Sequence, residues 1–319
     1  MFRNYPGNVI LRDPRVRKDD SDCSDDMTSA FRSVVALQVP DSLRHGTGGV
    51  ENLFRRVASL PPAGRYIFDM DGVTFIEPCG AIGLLSAVRH CAKESGQMVL
   101  MKNINEQIYL YLGRMDFFEI TKAWLKPLFA LDEEWRRNPH SINLLELTVV
   151  SGYEEMSAVI ERAREIFTPY LSQDELAGLL RVISELCQNI YQHSGDTNGC
   201  VMIQKYQPNH NEAFICLSVG DSGCGIRANL IRRYSWLGSD PIDFVRAAMD
   251  GSFTSRSHGR GGLGLRTVRN ITAAHKGYVT VRSETAAVTD WGKAVQNFSN
   301  LAYMTGTQVS VKLSARSSP

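Results

Sequence analysis

Between Ser184 and Leu265 the chain carries three separated polar and glycine-rich signals, and their order constrains its fold more than any other feature. Glu185-Leu-Cys-Gln-Asn189 falls on a helix, Asp221-Ser-Gly223-Cys-Gly225 follows a strand, and Gly259-Arg-Gly-Gly-Leu-Gly264-Leu265 opens another helix. Each has a plain structural reading by itself, since helices carry Glu and Asn as solvated stripes and glycine loops serve as turns and hinges. Taken together and in this order, they suit the recognition of one nucleotide.

The helix before the first signal has a marked start. Ser172-Gln-Asp-Glu175 has the capping-box form, so a long helix is expected from Gln173. Its apolar face comprises Leu176, Leu179, Leu180, Ile183, Leu186, Cys187 and Ile190, while Glu185, Gln188, Asn189 and Gln192 share the other side. Glu185 and Asn189 then project about one turn apart. A carboxylate placed there can orient or deprotonate a nucleophile, and an Asn oxygen can hold Mg²⁺, which prefers hard oxygen ligands and keeps several waters.

Asp221 ends an apolar strand, where a partly buried carboxylate needs donors. The amino group of adenine is one, and Gly223 and Gly225 remove side chains that would block a flat base. Such a charged hydrogen bond is worth roughly 1.5 to 3 kcal/mol net. The glycines from Gly259 onward precede Leu265, Val268 and Ile271, so backbone N–H groups at the helix start can cradle phosphate without a lysine. ATP with Mg²⁺ is therefore the expected ligand. Ile226 to His258, with Trp236, Gly238, Pro241, Gly251 and Arg256, suits a mobile lid over it.

With 319 residues, 43% of them apolar, the chain is long enough for two domains, each with its own core. A formal charge of +1 gives no general attraction to nucleic acid or to an anionic membrane. The seven cysteines are scattered, without a CxxC pair, which points away from a disulfide framework or a zinc site and towards a reducing compartment. No signal peptide or membrane-spanning run is evident, so a cytoplasmic location is expected.

Residues 1–30 mix basic and acidic side chains with few apolar ones and read as a flexible tail. From there to residue 125, strands at Ser33–Val39, Arg65–Asp69 and Met98–Met101 alternate with helices at Val50–Leu60, Cys79–Lys93 and Glu106–Leu112. Met70–Glu77 reads as an ordered loop, and Phe117–Ile120 completes a small α/β sandwich. Residues 126–142, with Pro127, Pro139 and a charged run around Trp135, read as a linker. A second domain spans 143–315, with strands at 143–150, 200–206, 213–219, 278–283 and 307–313 and helices at 153–167, from 173, and up to about His275. The expected class is α/β (α+β) throughout.

Two family resemblances follow from these residues. Phe68-Asp-Met-Asp-Gly-Val-Thr-Phe-Ile-Glu-Pro-Cys-Gly80-Ala-Ile-Gly-Leu-Leu85 resembles the signature of STAS domains, the anti-sigma-factor antagonist fold. That family carries a phosphorylatable serine before this helix, whereas Glu77-Pro-Cys79-Gly80 offers no hydroxyl. Cys79 is either a small residue at a helix start or a reactive thiol helped by the helix dipole. The motifs of 143–315 resemble the GHKL superfamily, the Bergerat-fold ATP-binding domains of gyrase, MutL, histidine kinases and anti-sigma-factor serine kinases. The resemblance implies that Glu185 is the general base, that Asn189 binds Mg²⁺ and that Asp221 holds adenine, with Thr307 of Thr305-Gly-Thr307 assisting it. It also implies that Gly223, Gly225, Gly259, Gly261, Gly262, Leu263 and Gly264 line the base and phosphates. Asn189-Ile-Tyr-Gln-His193 departs from the family's Asn-Ala-x-[Lys/Arg]-His, so a charge near the phosphates is missing. His193 is kept, as a phosphate-side residue or a structural hydrogen-bonding group.

Tyr153–Phe167 contains no histidine, so a phosphoacceptor helix of the histidine-kinase kind is absent from that stretch. The resemblance then points to an ATP-binding regulatory protein of partner-switching type, with ATP hydrolysis or phosphoryl transfer to a serine of a partner such as a sigma-factor or antagonist protein. Two alternatives remain open: a non-catalytic ATP-sensing interaction module, and a homodimerising GHKL ATPase, for which the residues after Leu313 are few.

Overall fold

The computed structural model describes residues 33–45, 49–129, 144–209, 212–251, 253 and 263–315. The expected N-terminal tail, most of the expected linker, and Gly259, Gly261 and Gly262 lie outside the described residues.

The N-terminal unit contains β1 (Val34–Gln38), β2 (Ser42–Leu43), α1 (Val50–Ala58), β3 (Arg65–Asp69), β4 (Phe75–Ile76), α2 (Pro78–Ser95), β5 (Val99–Lys102), α3 (Glu106–Arg114), α4 (Phe117–Thr121) and β6 (Leu125–Pro127). β1, β3, β5 and β6 form one parallel sheet in the order β1-β3-β5-β6. The stretch read as a loop before α2 instead includes β4, which pairs in parallel with β2. Pro127, read as part of a linker, closes β6, an edge strand where a missing N–H is tolerated.

The C-terminal unit follows with β7 (Leu144–Val149), α5 (Tyr153–Phe167), α6 (Gln173–Asn189), a π-helical turn (Ile190–Ser194), β8 (Cys200–Asn209), β9 (Glu212–Gly220), α7 (Gly225–Leu230), α8 (Pro241–Asp250), α9 (Gly264–Ala274), β10 (Tyr278–Glu284), β11 (Ala286–Asp290), β12 (Val295–Phe298) and β13 (Met304–Ala315). Its seven strands make one antiparallel sheet in the order β12-β11-β10-β13-β9-β8-β7. The chain is thus α+β, with a parallel and an antiparallel sheet.

One face of the large sheet carries α5, α6 and α9 over a core that includes Leu145, Ile183, Leu186, Val219, Val268 and Val309. The other face receives α2. That helix is apolar nearly all round, with Ala81, Ile82, Leu84, Leu85, Ala87 and Val88 all buried, and such a helix must be covered on both sides. Its own parallel sheet covers one side and β8, β9 and β13 the other. Consequently the core around α2 is continuous with Leu144, Leu147, Cys200, Met202 and Met304 of the large sheet.

Two polar contacts fix the same junction. Arg282 of β10 donates from Nε to Glu51 of α1 at 2.9 Å, both side chains being buried. His45 Nε2 meets Thr280 Oγ1 at 2.5 Å, and burial, reinforced by Lys312, pulls the imidazole down to about 4.

Candidate functional site

The capping box fixes where the site helix begins. Ser172 Oγ accepts from Glu175 N at 3.3 Å and Glu175 Oε2 accepts from Ser172 N at 2.9 Å, so α6 starts at Gln173 as the sequence predicts. Leu179, Leu180, Ile183, Leu186 and Cys187 are buried, which turns Glu185 and Asn189 away from the core into a cavity of about 510 Å³. After Asn189 the helix widens into a π-helical turn, a feature frequent at functional sites. Within it Ser194 Oγ bonds back to the Ile190 carbonyl at 2.6 Å. Gly199 packs so closely there that a Cβ would stand 2.3 Å from Ile190 Cγ2.

Asp221 directly follows β9 and is buried. Its Oδ1 accepts from Gly223 N at 2.9 Å and Thr307 N at 3.3 Å, while its own N–H donates to the Thr307 carbonyl at 3.0 Å. Burial pushes the carboxyl up to about 6, against the pull of those backbone donors. Thr307 therefore acts on Asp221 through its backbone. Gly306 makes this approach feasible: it has φ +83°, and a Cβ would lie 2.0 Å from the Asp221 carbonyl oxygen. Gly223 is equally constrained, since a Cβ there would meet the Ser194 carbonyl at 2.0 Å. Gly225 starts α7, where the Ile226 N–H donates to Ser283 Oγ at 3.0 Å.

Gly264 is the first residue of α9, and a Cβ on it would lie 3.0 Å from Glu185 Oε2 and 3.8 Å from Asn189 Oδ1. The helix N-terminus thus faces the two polar side chains of α6. Glu185, Asn189, His193, Asp221, Leu263, Gly264 and Thr307 all border the one cavity, whereas Gly223 and Gly225 shape the loop behind Asp221.

Two participants escape the sequence reading. Arg181, one turn before Glu185, donates from Nε to Glu185 Oε1 at 2.9 Å and borders the cavity, adding a cation that the Asn189–His193 motif lacks. Its signal in the sequence is the i, i+4 spacing of Arg181 and Glu185. Asn229 Nδ2 donates to the His193 carbonyl at 2.9 Å and ties α7 to the π-helical turn. The expected lid is also different in kind. Its middle forms α8, whose Phe244, Val245 and Met249 are buried, so that stretch belongs to the core.

Among the described residues no group of three or more His, Cys, Asp or Glu side chains is placed to hold a metal ion. Asn189 is nevertheless suited to a magnesium that takes its remaining ligands from phosphates and water. Likewise no described helix is long and apolar enough to cross a membrane.

An antiparallel sheet with its helices on one face, and a cavity between a Glu/Asn helix, a strand-end carboxylate and a glycine-led helix start, together define an α+β domain with a polar, ligand-sized site. Residues 174–317 match the family "Histidine kinase-, DNA gyrase B-, and HSP90-like ATPase", so the chain carries a GHKL-type ATPase domain there. Among solved structures, it is similar to a mycobacterial sensor histidine kinase, MprB, with 19% identity and a TM-score of 0.30, covering 54% of this chain and 100% of that one. It is also similar to the histidine kinase domain of the Erythrobacter litoralis EL346 blue-light-activated histidine kinase, with 12% identity and a TM-score of 0.25, covering 83% of this chain and 91% of that one. No curated protein sequence matches.

Proposed function

We propose that this chain is a cytoplasmic ATP-binding regulator of partner-switching type, in which a STAS-like domain (31–125) and a connecting segment (126–142) precede a GHKL ATPase domain (143–315). ATP is held with its base at Asp221, its phosphates near the start of α9, and Mg²⁺ at Asn189. The bound nucleotide supplies a transferable phosphoryl group. Glu185 orients and deprotonates the attacking hydroxyl, which belongs either to water or to a serine of a partner protein.

The observation that carries this reading is the convergence of Glu185 and Asn189 on Gly264 across a cavity that also reaches Asp221. A 510 Å³ cavity is in the range of small-molecule sites, and Asp221 offers Oδ2 to a donor because both backbone N–H groups use Oδ1.

The position of Cys79 supports an acceptor outside this chain. It borders a separate cavity with Gln308 and Ser310, whereas Thr307 and Val309 border the nucleotide cavity. Successive strand residues face opposite sides, so the sheet lies between Cys79 and the nucleotide. Burial and the Glu77 carboxylate also raise the Cys79 thiol well above its ordinary range, which disfavours the reactive-thiolate alternative.

The docking of α2 on the ATPase sheet favours a second reading, in which ATP is only a conformational ligand. Incubating the full chain with γ-labelled ATP and Mg²⁺, with and without candidate partners, separates the two. Turnover or a phosphoserine that Glu185→Ala abolishes while ATP still binds supports catalysis. Binding without either supports the sensor.

A further inference from the structure

One stripe of α2 touches the three chain segments that flank Asp221. Ile82, Ser86 and Arg89 lie at i, i+4 and i+7, on a single face. Ile82 packs on Gly220, the residue before Asp221, so tightly that a Cβ on Gly220 would stand 2.4 Å from Ile82 Cγ2. Ser86 Oγ donates to the Ile82 carbonyl at 3.0 Å and accepts from Gln308 Nε2 at 2.9 Å, and Gln308 follows Thr307, whose N–H holds Asp221.

Arg89 completes the set. Its Nη2 and Nη1 reach Asp196 Oδ1 and Oδ2 at 2.7 and 2.8 Å, and Nη1 also donates to the Asn198 carbonyl at 3.2 Å. Asp196 in turn accepts from the N–H of Ser222, the residue after Asp221, at 2.8 Å and from that of Asn198 at 2.9 Å. The guanidinium lies over the Trp124 ring at 4.9 Å, so its fork is fixed from the N-terminal side as well. Burial by itself would raise the Asp196 carboxyl, but the hydrogen bonds from Arg89, Ser222 and Asn198 hold it below its usual range.

We infer that Arg89, with Ser86 and Ile82, positions the Asp221 loop for the nucleobase, so that docking of the N-terminal unit and occupancy of the base end of the ATP site are coupled. The inference rests on the reading that Asp221 receives the base. Coupling of this kind is reciprocal: whatever displaces α2 from the sheet weakens base binding, and bound adenine nucleotide tightens the docking. Arg89 touches no ligand atom and acts through Asp196 and the Ser222 N–H.

The test is calorimetric titration of the full chain with ATP and with GTP, each with Mg²⁺, for wild type, Arg89→Gln, Arg89→Lys and Ser86→Ala, with circular dichroism as the check on folding. Arg89→Gln is expected to weaken ATP binding about tenfold and to narrow the ATP-to-GTP preference, with Arg89→Lys recovering part of both. A bolt that merely joins the units would move neither the preference nor its rescue by lysine. Folded Arg89→Gln and Ser86→Ala proteins with ATP affinity and preference within twofold of wild type would overturn the coupling. Should Arg89→Gln fail to fold, Arg89→Lys and Ser86→Ala decide by the same criterion. A wild type that binds ATP without preferring it over GTP sinks the Asp221 reading and this inference with it, whereas a preference untouched by the variants sinks the inference alone.

Discussion

Gly264, the first residue of α9, lies so close to Glu185 that a Cβ would stand 3.0 Å from Oε2. The atom it would meet is the far end of a flexible side chain rather than backbone. Gly264→Ala should therefore leave the fold intact, with stability unchanged or raised by up to about 1 kcal/mol, because alanine lowers the entropy of the unfolded chain. The carboxylate must yield by a few tenths of an ångström, and small misplacements at a reacting centre are costly. Turnover should drop on the order of tenfold while ATP affinity stays within a fewfold of wild type. Phosphate release and calorimetric scanning on one preparation check both halves, and unchanged turnover would remove Glu185 from the chemistry.

A contrast between two glycines with positive φ tests the frame around Asp221. Gly96 ends α2 at φ +64°, and a Cβ added there would have nothing within 4 Å, so Gly96→Ala should cost only the left-handed backbone penalty, about 1 to 2 kcal/mol. Gly306 has φ +83°, and its Cβ would meet the Asp221 carbonyl oxygen at 2.0 Å and Oδ1 at 2.8 Å. Gly306→Ala must move backbone as well, so it should cost on the order of 4 kcal/mol and abolish nucleotide binding. Urea unfolding of the two variants gives the comparison, and equal costs would contradict the contact.

Much of this frame is legible in the sequence because local chemistry writes it there. Ser172 and Glu175 announce the start of α6, and the spacing of Val50, Leu53, Phe54 and Val57 gives α1 its buried stripe. Other parts leave weak local marks. β11 and β12 escape a sequence reading because Ala286–Asp290 is short and buried throughout, and Val295–Phe298 is an exposed edge strand; neither shows the alternation that marks a half-buried strand. The π-helical turn is missed because nothing in Ile190–Ser194 disrupts helical periodicity. The closure of Asp221 by the Thr307 backbone joins residues 86 apart, and the Arg89–Asp196 pair joins residues 107 apart. The docking of α2 does leave a signal, a run from Ala81 to Val88 that is apolar but for Ser86 and so demands a second covering surface.

Asp221 should make both stability and ligand affinity depend on pH, in opposite senses. Its carboxyl stands at about 6 in the folded protein against an ordinary 3.8, so the native state holds the proton more tightly than the unfolded chain. The resulting stabilisation is full below about pH 4 and is lost as pH rises through about 6, on the order of 3 kcal/mol in all. A base that donates to the carboxylate requires the ionised form, so ATP binding should weaken below about pH 6. Asp221→Asn removes the titration. The ratio of its Kd for ATP to that of wild type should shrink about tenfold between pH 7.5 and pH 5; titration of ATP itself affects both proteins and cancels in the ratio. A constant ratio would exclude Asp221 as the base-binding carboxylate.

The junction between the units rests on a buried ion pair whose loss and replacement should differ in size. Arg282 donates to Glu51, to the Glu284 carbonyl at 3.1 Å and to the Ala302 carbonyl, and its guanidinium lies over the Phe54 ring at 4.6 Å. Glu51 Oε1 also accepts from Ala302 N at 3.2 Å. Glu51→Met leaves a buried guanidinium with carbonyl partners but no counter-charge, which should cost about 3 to 5 kcal/mol. Changing both residues to methionine removes the stranded charge and keeps apolar volume against Phe54, so the double variant should recover most of that loss despite carrying two substitutions. Urea unfolding of both single variants and the double variant closes the cycle. Strictly additive costs would mean that Glu51 and Arg282 stabilise the junction independently, through their backbone partners, rather than as a pair.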